Sequence, residues 1–147
     1  MDTANINELD RCIRILYRRK VSAILKNIGL YNGQPRLLFH LYEKNGCNQK
    51  ELSDYLNVSN ATITVSLKRM EKCGIIRKVP DRNDLRNNII TLTDKGIIVI
   101  DKCKKIFKSI NIKMYEGFNH EEIENLQNYY KRIIANLENM DDKELVV

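Results

Sequence analysis

The stretch Ser59–Lys72 carries the residue types that are best suited to a chemical role in this chain. Ser59 is a good helix N-cap, and Gly74 stands just past the last turn, where helices commonly end. The spacing therefore predicts a helix with one apolar face. That face comprises Ile63, Leu67 and Met70, with Ser66 at its edge.

The opposite face of this predicted helix has small and β-branched side chains near its start and basic ones toward its end. Small side chains let a helix approach a surface closely, and Thr or Val can touch thymine methyl groups. Lysine and arginine then meet phosphates. The alternative is an ordinary solvent-facing surface that lacks bulk. The residues predicted to contact DNA are Ser59, Asn60, Ala61, Thr62, Thr64, Val65, Lys68, Arg69 and Lys72.

The elements around this helix favour the DNA interpretation. A short helix capped by Asn48 precedes it, which makes a helix-turn-helix pattern. Two predicted strands, 75–80 and 88–92, follow it and enclose a polar turn. This hairpin is a wing, and arginines on its tip suit a narrow minor groove. The tip arginines are Arg82 and Arg86; the alternative is a solvated loop.

Long amphipathic helices flank this module on both sides. Apolar residues recur at three- and four-residue steps over roughly 6–28 and again over 93–140. Their stripes exceed what a small module can cover, which predicts a homodimer. The predicted inward positions of the helix that Thr93 caps are Ile97, Ile100, Cys103, Ile106, Phe107, Ile110 and Met114. The fold expected is mainly α with a small β-hairpin wing: one domain, 1–147, with a winged helix-turn-helix at about 33–92 and dimerisation helices at about 6–28 and 93–140.

Bulk properties restrict the function further. The 147-residue chain has a net charge of +6, which weakly favours a polyanionic partner. It shows no apolar run of membrane-spanning length and no signal-peptide pattern, so a soluble cytoplasmic protein without a membrane partner is expected. No phosphate loop, catalytic triad or metal-binding spacing is present, so no enzyme, cofactor or metal is expected. A winged-helix protein-interaction module without DNA binding is the other rival.

The stretch from Gln49 to Gly96 resembles the MarR family of bacterial winged-helix transcription regulators. Five separate pieces match the family's pattern at the right spacing. They are Glu51-Leu52, Val58-Ser59-Asn60-Ala61-Thr62-Ile63-Thr64, Met70-Glu71-Lys72-Cys73-Gly74-Ile75-Ile76-Arg77, the set Asp81, Asp84 and Arg86, and Leu92-Thr93-Asp94-Lys95-Gly96.

The resemblance implies a homodimer that reads a pseudo-palindromic operator in double-stranded DNA, acting as a repressor relieved by a small-molecule effector. In the family the wing aspartate and arginine shape the tip and reach DNA, a role that maps to Asp84 and Arg86. Leu85 stands where the family often has a further arginine, so minor-groove contact is expected to be weaker.

The resemblance also implies an effector region. Many members bind small aromatic ligands between the dimer helices and the winged module, near Tyr31, Arg36, Phe39 and His40 of this chain. Core packing is the alternative for Phe39 and His40.

A subset of the family senses oxidants through a cysteine in the first helix, where Cys12 stands. A redox-responsive regulator is therefore a further alternative, although no local motif accompanies Cys12. Cys73 and Cys103 are expected to be ordinary small core residues.

Overall fold

A computed structural model of the chain describes residues 4–81 and 88–141. The helices are α1 Ala4–Lys26, α2 Gln34–Lys44, α3 Gln49–Leu56, α4 Asn60–Lys72, α5 Asp94–Met114 and α6 His120–Glu138. The strands are β1 Cys47–Asn48, β2 Ile76–Pro80 and β3 Asn88–Leu92. The described residues fall into two compact units, divided between Ile110 and Asn111.

Local side-chain signals fix the helix starts, as predicted. The Asn48 side chain accepts a hydrogen bond from the Glu51 amide at 2.9 Å, and the Glu51 carboxylate accepts one from the Asn48 amide at 2.9 Å. Asn119 and Glu122 form the same reciprocal capping box at α6. Ser59 Oγ accepts from the Thr62 amide at 3.1 Å and caps α4. Each cap satisfies amides that the first helical turn leaves unpaired.

The three strands form an antiparallel sheet in the order β1-β3-β2. The β2–β3 hairpin pairs Ile76 with Leu92 at one end and Pro80 with Asn88 at the other, which confirms the predicted arms of the wing. The sequence pattern did not predict β1. It follows Gly46, whose φ of +109° and missing Cβ let the chain run against the carbonyl of Ile90.

One apolar core joins α2, α3, α4, the sheet and the start of α5, and the C-terminal end of α1 packs into it. Burying each such side chain contributes roughly 1.5–3 kcal/mol. The fully buried members are Leu25, Leu30, Leu37, Leu38, Leu41, Leu52, Ile63, Leu67, Met70, Ile76, Ile90 and Ile100. This core supports α4 from within the same chain.

The inward face of α5 differs from the prediction at Ile97 and at Met114, which is 38% exposed. Ile97 is 42% exposed, whereas Val99, Ile100 and Cys103 are buried. Gly96 sets this orientation, because a Cβ there would collide with the carbonyl oxygen of Ile75. Glycine therefore lets the first turn of α5 approach the segment that leads into β2, which turns Ile97 outward.

The outer helices keep much of their apolar surface exposed. Along α1 only Val21 and Leu25 are buried, and Ile6, Leu9 and Leu16 are more than half exposed. No residue of α6 is buried. Among the described residues, no helix is long and apolar enough to cross a membrane.

Candidate nucleic-acid interface

The structure places the predicted base-contacting residues on the solvent-exposed side of α4. Ile63, Leu67 and Met70 are buried, as predicted, and Ser66 is half-buried at the edge of that face. Val65 on the opposite side is 54% exposed. All nine predicted residues of the helix and its cap are exposed: Ser59, Asn60, Ala61, Thr62, Thr64, Val65, Lys68, Arg69 and Lys72.

The hydroxyl groups near the start of α4 already have partners within the chain. Thr62 Oγ1 lies 2.9 Å from Ser59 Oγ. Thr64 Oγ1 donates to the carbonyl of Asn60 at 2.7 Å and accepts from Gln49 Nε2 at 2.8 Å. A hydroxyl has one proton, so Thr64 can now offer a DNA base only an acceptor or its methyl group. The first turns of α4 therefore suit apolar contact with thymine methyls better than donation to base edges.

The basic residues of α4 differ in whether their charged groups already contact another side chain. Among the described residues, Lys68 and Lys72 form no salt bridge. The Arg69 guanidinium carbon instead lies 5.1 Å from the ring centroid of Tyr31, in a cation–π contact. Lys68 and Lys72 can therefore move toward phosphates without losing an ion pair, whereas Arg69 starts from a held position.

The C-terminal end of α4 is tied to the residues around the start of α5. Thr93 Oγ1 lies 2.6 Å from the carbonyl oxygen of Gly74 and 3.1 Å from that of Ile75. Lys95 Nζ donates to the carbonyl of Cys73 at 2.7 Å, a favourable place for a cation at a helix C-terminus. These bonds give a physical reason for the Leu92–Gly96 motif: Thr93 and Lys95 hold the residues that follow α4 and lead into β2.

An open, polar hollow of about 450 Å³ lies beside the start of α4. It is lined by Asn48, Gln49, Lys50, Asn60, Lys78, Asn88 and Ile90. Of these residues, only Asn60 is among those that the sequence predicts to contact DNA. The sequence signals for a basic margin here are Lys50, two residues after the α3 capping residue Asn48, and Lys78, beside Arg77 on β2. Lys78 Nζ also lies 3.6 Å from the Glu71 carboxylate, which partly offsets its charge.

The predicted wing-tip residues Arg82, Asp84 and Arg86 lie outside the described residues. The described arms bring the chain to that tip at Pro80 and Asn88, which are opposite each other across the hairpin.

Comparison with known proteins relates the chain to the MarR family. The model of the MarR family matches residues 30–87, which include α2, α3, α4 and β2. The HTH-type transcriptional regulator SarZ of Staphylococcus haemolyticus is 29% identical over 120 residues, covering 80% of this chain and 79% of that protein. These similarities support a MarR-family regulator.

Solved structures show the same MarR-type fold. Crystal structures of MepR, a transcription regulator of the Staphylococcus aureus multidrug efflux pump MepA, include one that covers 89% of this chain and 97% of MepR, with a TM-score of 0.78 at 22% identity. MepR in complex with DNA covers 90% of this chain and 97% of MepR, with a TM-score of 0.73 at 23% identity. The winged helix-turn-helix architecture predicted from the sequence is confirmed.

The four residues of the predicted MarR-type effector region make contacts at three separate places. Tyr31 lies under Arg69 of α4. His40 stacks on the Tyr55 ring with centroids 3.8 Å apart, and the Arg36 guanidinium carbon lies 5.0 Å from the same ring. Phe39 packs against Phe107 of α5, with ring centroids 6.2 Å apart. These contacts join α2 and the loop before it to α3, α4 and α5, and a ligand role for the four residues stays a prediction.

The four cysteines of the chain divide into two classes. Cys47 and Cys103 are buried, and burial raises the pKa of the Cys47 thiol to about 11 and that of Cys103 in the same direction. Cys12 and Cys73 are exposed. The prediction of a core Cys73 is wrong, because this residue is the C-cap of α4 and lies beyond the last inward turn at Met70. Among the described residues, no group of three His, Cys, Asp or Glu side chains is arranged to hold a metal ion.

Proposed function

We propose that this MarR-family chain is a transcription regulator that binds double-stranded DNA by inserting α4 into the major groove. The observation that carries the proposal is the exposed face of α4. Methyl-bearing residues lie at its start, and toward its end are lysines that form no salt bridge within the part of the chain that the structure describes. The opposite face of the helix is fully buried. The structure of MepR in complex with DNA, on the same fold, supports this assignment.

The proposed complex has two-fold symmetry. Two copies of α4 occupy successive major grooves about 34–36 Å apart on a pseudo-palindromic operator. Thr62, Thr64 and Val65 face base edges, while Lys68, Arg69 and Lys72 face phosphates. The wings enter flanking minor grooves through Arg82 and Arg86, with Asp84 shaping the tip. Alanine at Arg86 should then weaken DNA binding without unfolding the protein.

The proposed dimer uses the outer helices of what we take to be a single MarR-type domain. The exposed apolar residues of α1 and α6 support this, because stripes of this kind are normally covered by a partner subunit. A second copy of the chain also supplies the second half of the operator contact. A regulator of bacterial genes of this kind acts in the cytoplasm.

The proposed outcome is repression that a small aromatic effector relieves. Tyr31, Arg36, Phe39 and His40 support the location of the effector region, since each lies on a contact between α2 or its preceding loop and another helix. A ligand that enters there would compete with contacts to α3, α4 or α5, and so bias the placement of α4.

The experiment that tests the DNA proposal is an anisotropy titration at several salt concentrations. The probes are a duplex that the parent protein selects from a randomised pool and a scrambled duplex of the same composition. Salt-sensitive binding that favours the selected duplex is expected, because lysine contacts to phosphate release counterions. A protein-interaction module would bind neither duplex, and enrichment of no sequence from the pool would also contradict the proposal.

A further inference from the structure

Gln34 joins three segments of the chain through one buried side chain. It is the first residue of α2 and is only 5% exposed. Its Oε1 accepts a hydrogen bond from the Tyr31 amide at 2.9 Å, and its Nε2 donates to Ser66 Oγ of α4 at 3.5 Å. The Tyr31 amide needs an acceptor, so the amide group of Gln34 has to point its nitrogen toward α4.

A second glutamine reaches α4 from another side. Gln49, the first residue of α3, donates from Nε2 to Thr64 Oγ1 at 2.8 Å. At 3.6 residues per turn, Ser66 and Thr64 lie on opposite flanks of α4, on either side of the buried face that contains Ile63. The exposed face that contains Val65 points away from both contacts.

The Tyr31–Arg69 contact strengthens the flank that Gln34 holds. Arg69 follows Ser66 by three residues, so both lie on the same side of the helix. Tyr31, whose amide binds Gln34, places its ring 5.1 Å from the Arg69 guanidinium carbon. Tyr31 and Gln34 therefore contact this flank at two successive turns.

We propose that Gln34 and Gln49 are positioning residues for DNA recognition: their contacts to Ser66 and Thr64 set the rotation of α4 about its own axis. This inference rests on the DNA-binding function proposed above. Apolar burial fixes how deeply α4 sits, but it is non-directional. Hydrogen bonds depend on angle as well as distance, so a pair on opposite flanks resists rotation both ways. Reading base edges requires such orientation, whereas contact with phosphates tolerates more freedom.

The decisive variants are Gln34→Leu and Ser66→Ala, because the buried Gln34 side chain does not itself face DNA. The ratio of affinities for the pool-selected and scrambled duplexes should fall about three- to tenfold, the equivalent of one hydrogen bond. Affinity for the scrambled duplex and the slope of affinity against salt should stay unchanged, because neither variant removes a charge. The double variant Gln34→Leu with Ser66→Ala should lower this affinity ratio little more than either single variant does.

The matched control is Ser53→Ala in α3. Ser53 is also buried, but its hydroxyl donates to the Lys50 carbonyl within the same helix and makes no bridge to α4. It should leave the affinity ratio at the parent value. Urea unfolding of every variant gives the folded fraction, to which each affinity is normalised. Gln49→Leu should lower the ratio as Gln34→Leu does, which tests the second flank.

The outcomes separate this inference from the proposed function. If the parent does not distinguish the two duplexes, both the positioning role and the proposed function are contradicted. If the parent discriminates and the Gln34→Leu and Ser66→Ala proteins do so equally well after normalisation, only the positioning role is overturned. An equal loss in Ser53→Ala, or an equal loss of selected and scrambled binding, would also assign these side chains to stability alone. Ser66→Ala removes a single hydroxyl from a half-buried site, so it decides the question even if Gln34→Leu does not fold.

Discussion

Helices α4 and α6 have similar apolar spacing, but their apolar faces end up in different surroundings. Ile63 and Leu67 on α4 are at most 1% exposed, covered by other parts of the same chain. Ile133 and Leu137 on α6 are 49% and 61% exposed, and no residue of α6 is buried. The apolar face of α4 is therefore satisfied within one chain, whereas the face of α6 has the character of a surface that awaits a partner.

This difference indicates a division of labour. The helix that is proposed to read DNA must keep its outer face free and its inner face fixed, so it is built into a complete core. The outer helices can leave apolar residues exposed only if a second subunit covers them. The same amphipathic pattern thus anchors α4 so that its outer face is exposed for DNA, and in the outer helices it provides the surface proposed to contact a second subunit.

The largest effect is expected from Leu67→Ala, which tests whether α4 depends on its own core. The substitution should lower the free energy of unfolding by about 2–5 kcal/mol, because it removes apolar contacts and leaves a cavity. Val65→Ala on the exposed face is the matched control and should change it by less than about 0.5 kcal/mol. Urea denaturation followed by circular dichroism measures both. Equal stability of the two variants would show that the α4 core does not hold the fold.

The comparison also shows which features the sequence could predict. Helix caps and the ends of β2 and β3 depend on residues a few positions apart, so the sequence alone predicts the caps at Asn48, Ser59 and Asn119. The strand β1 depends on pairing with β3 much later in the chain. The Gln34–Ser66 contact joins residues 32 positions apart, and no local sequence pattern predicts it.

Other parts of the candidate site were predictable only in outline. A helical wheel correctly separated the buried and exposed faces of α4, but it could not show that the Thr64 hydroxyl is already engaged by Gln49. On α5 the pattern placed Ile97 inward, and the close approach of Gly96 to Ile75 turned it outward. These differences arise from contacts between segments, which the periodicity of a single helix does not contain.

The second prediction concerns α6 and its uncovered face. Light scattering after size exclusion should give the parent twice the 17.3 kDa chain mass. The double variant Ile133→Glu with Leu137→Glu should shift the population to monomer, because each lost apolar burial is worth roughly 1.5–3 kcal/mol and buried carboxylates oppose association. Asn128→Glu lies on a different side of the same helix and should leave the dimer intact. A parent that stays monomeric at micromolar concentration contradicts the proposed dimer and its operator geometry together.

The third prediction divides the outer face of α4 into readers and phosphate contacts. Thr62→Ala or Val65→Ala should change which operator variants are tolerated, by about 1–3 kcal/mol at the contacted base pair. Lys68→Ala should instead weaken all sequences alike and reduce the salt slope by about 1 per subunit. Anisotropy titrations on a panel of operator variants at several salt concentrations measure both effects. If the Thr62 and Val65 variants keep the parent's sequence preference, α4 is not the reading helix.

The smallest effect is expected at Cys12, on the exposed part of α1. Reactive cysteines lie in electropositive surroundings. Cys12 Sγ instead lies 3.7 Å from the Glu8 carboxylate, whose pKa is held below its usual value chiefly by the hydrogen bond from Arg11. Cys12 therefore contacts an acid that already accepts hydrogen bonds from Arg11. We therefore expect peroxide to leave DNA binding unchanged in the parent and in Cys12→Ser alike, as judged by anisotropy before and after treatment. Release of DNA by peroxide in the parent, lost in Cys12→Ser and restored by a thiol reductant, would instead make Cys12 a redox sensor. It would also give the exposed half of α1 a regulatory role beyond association.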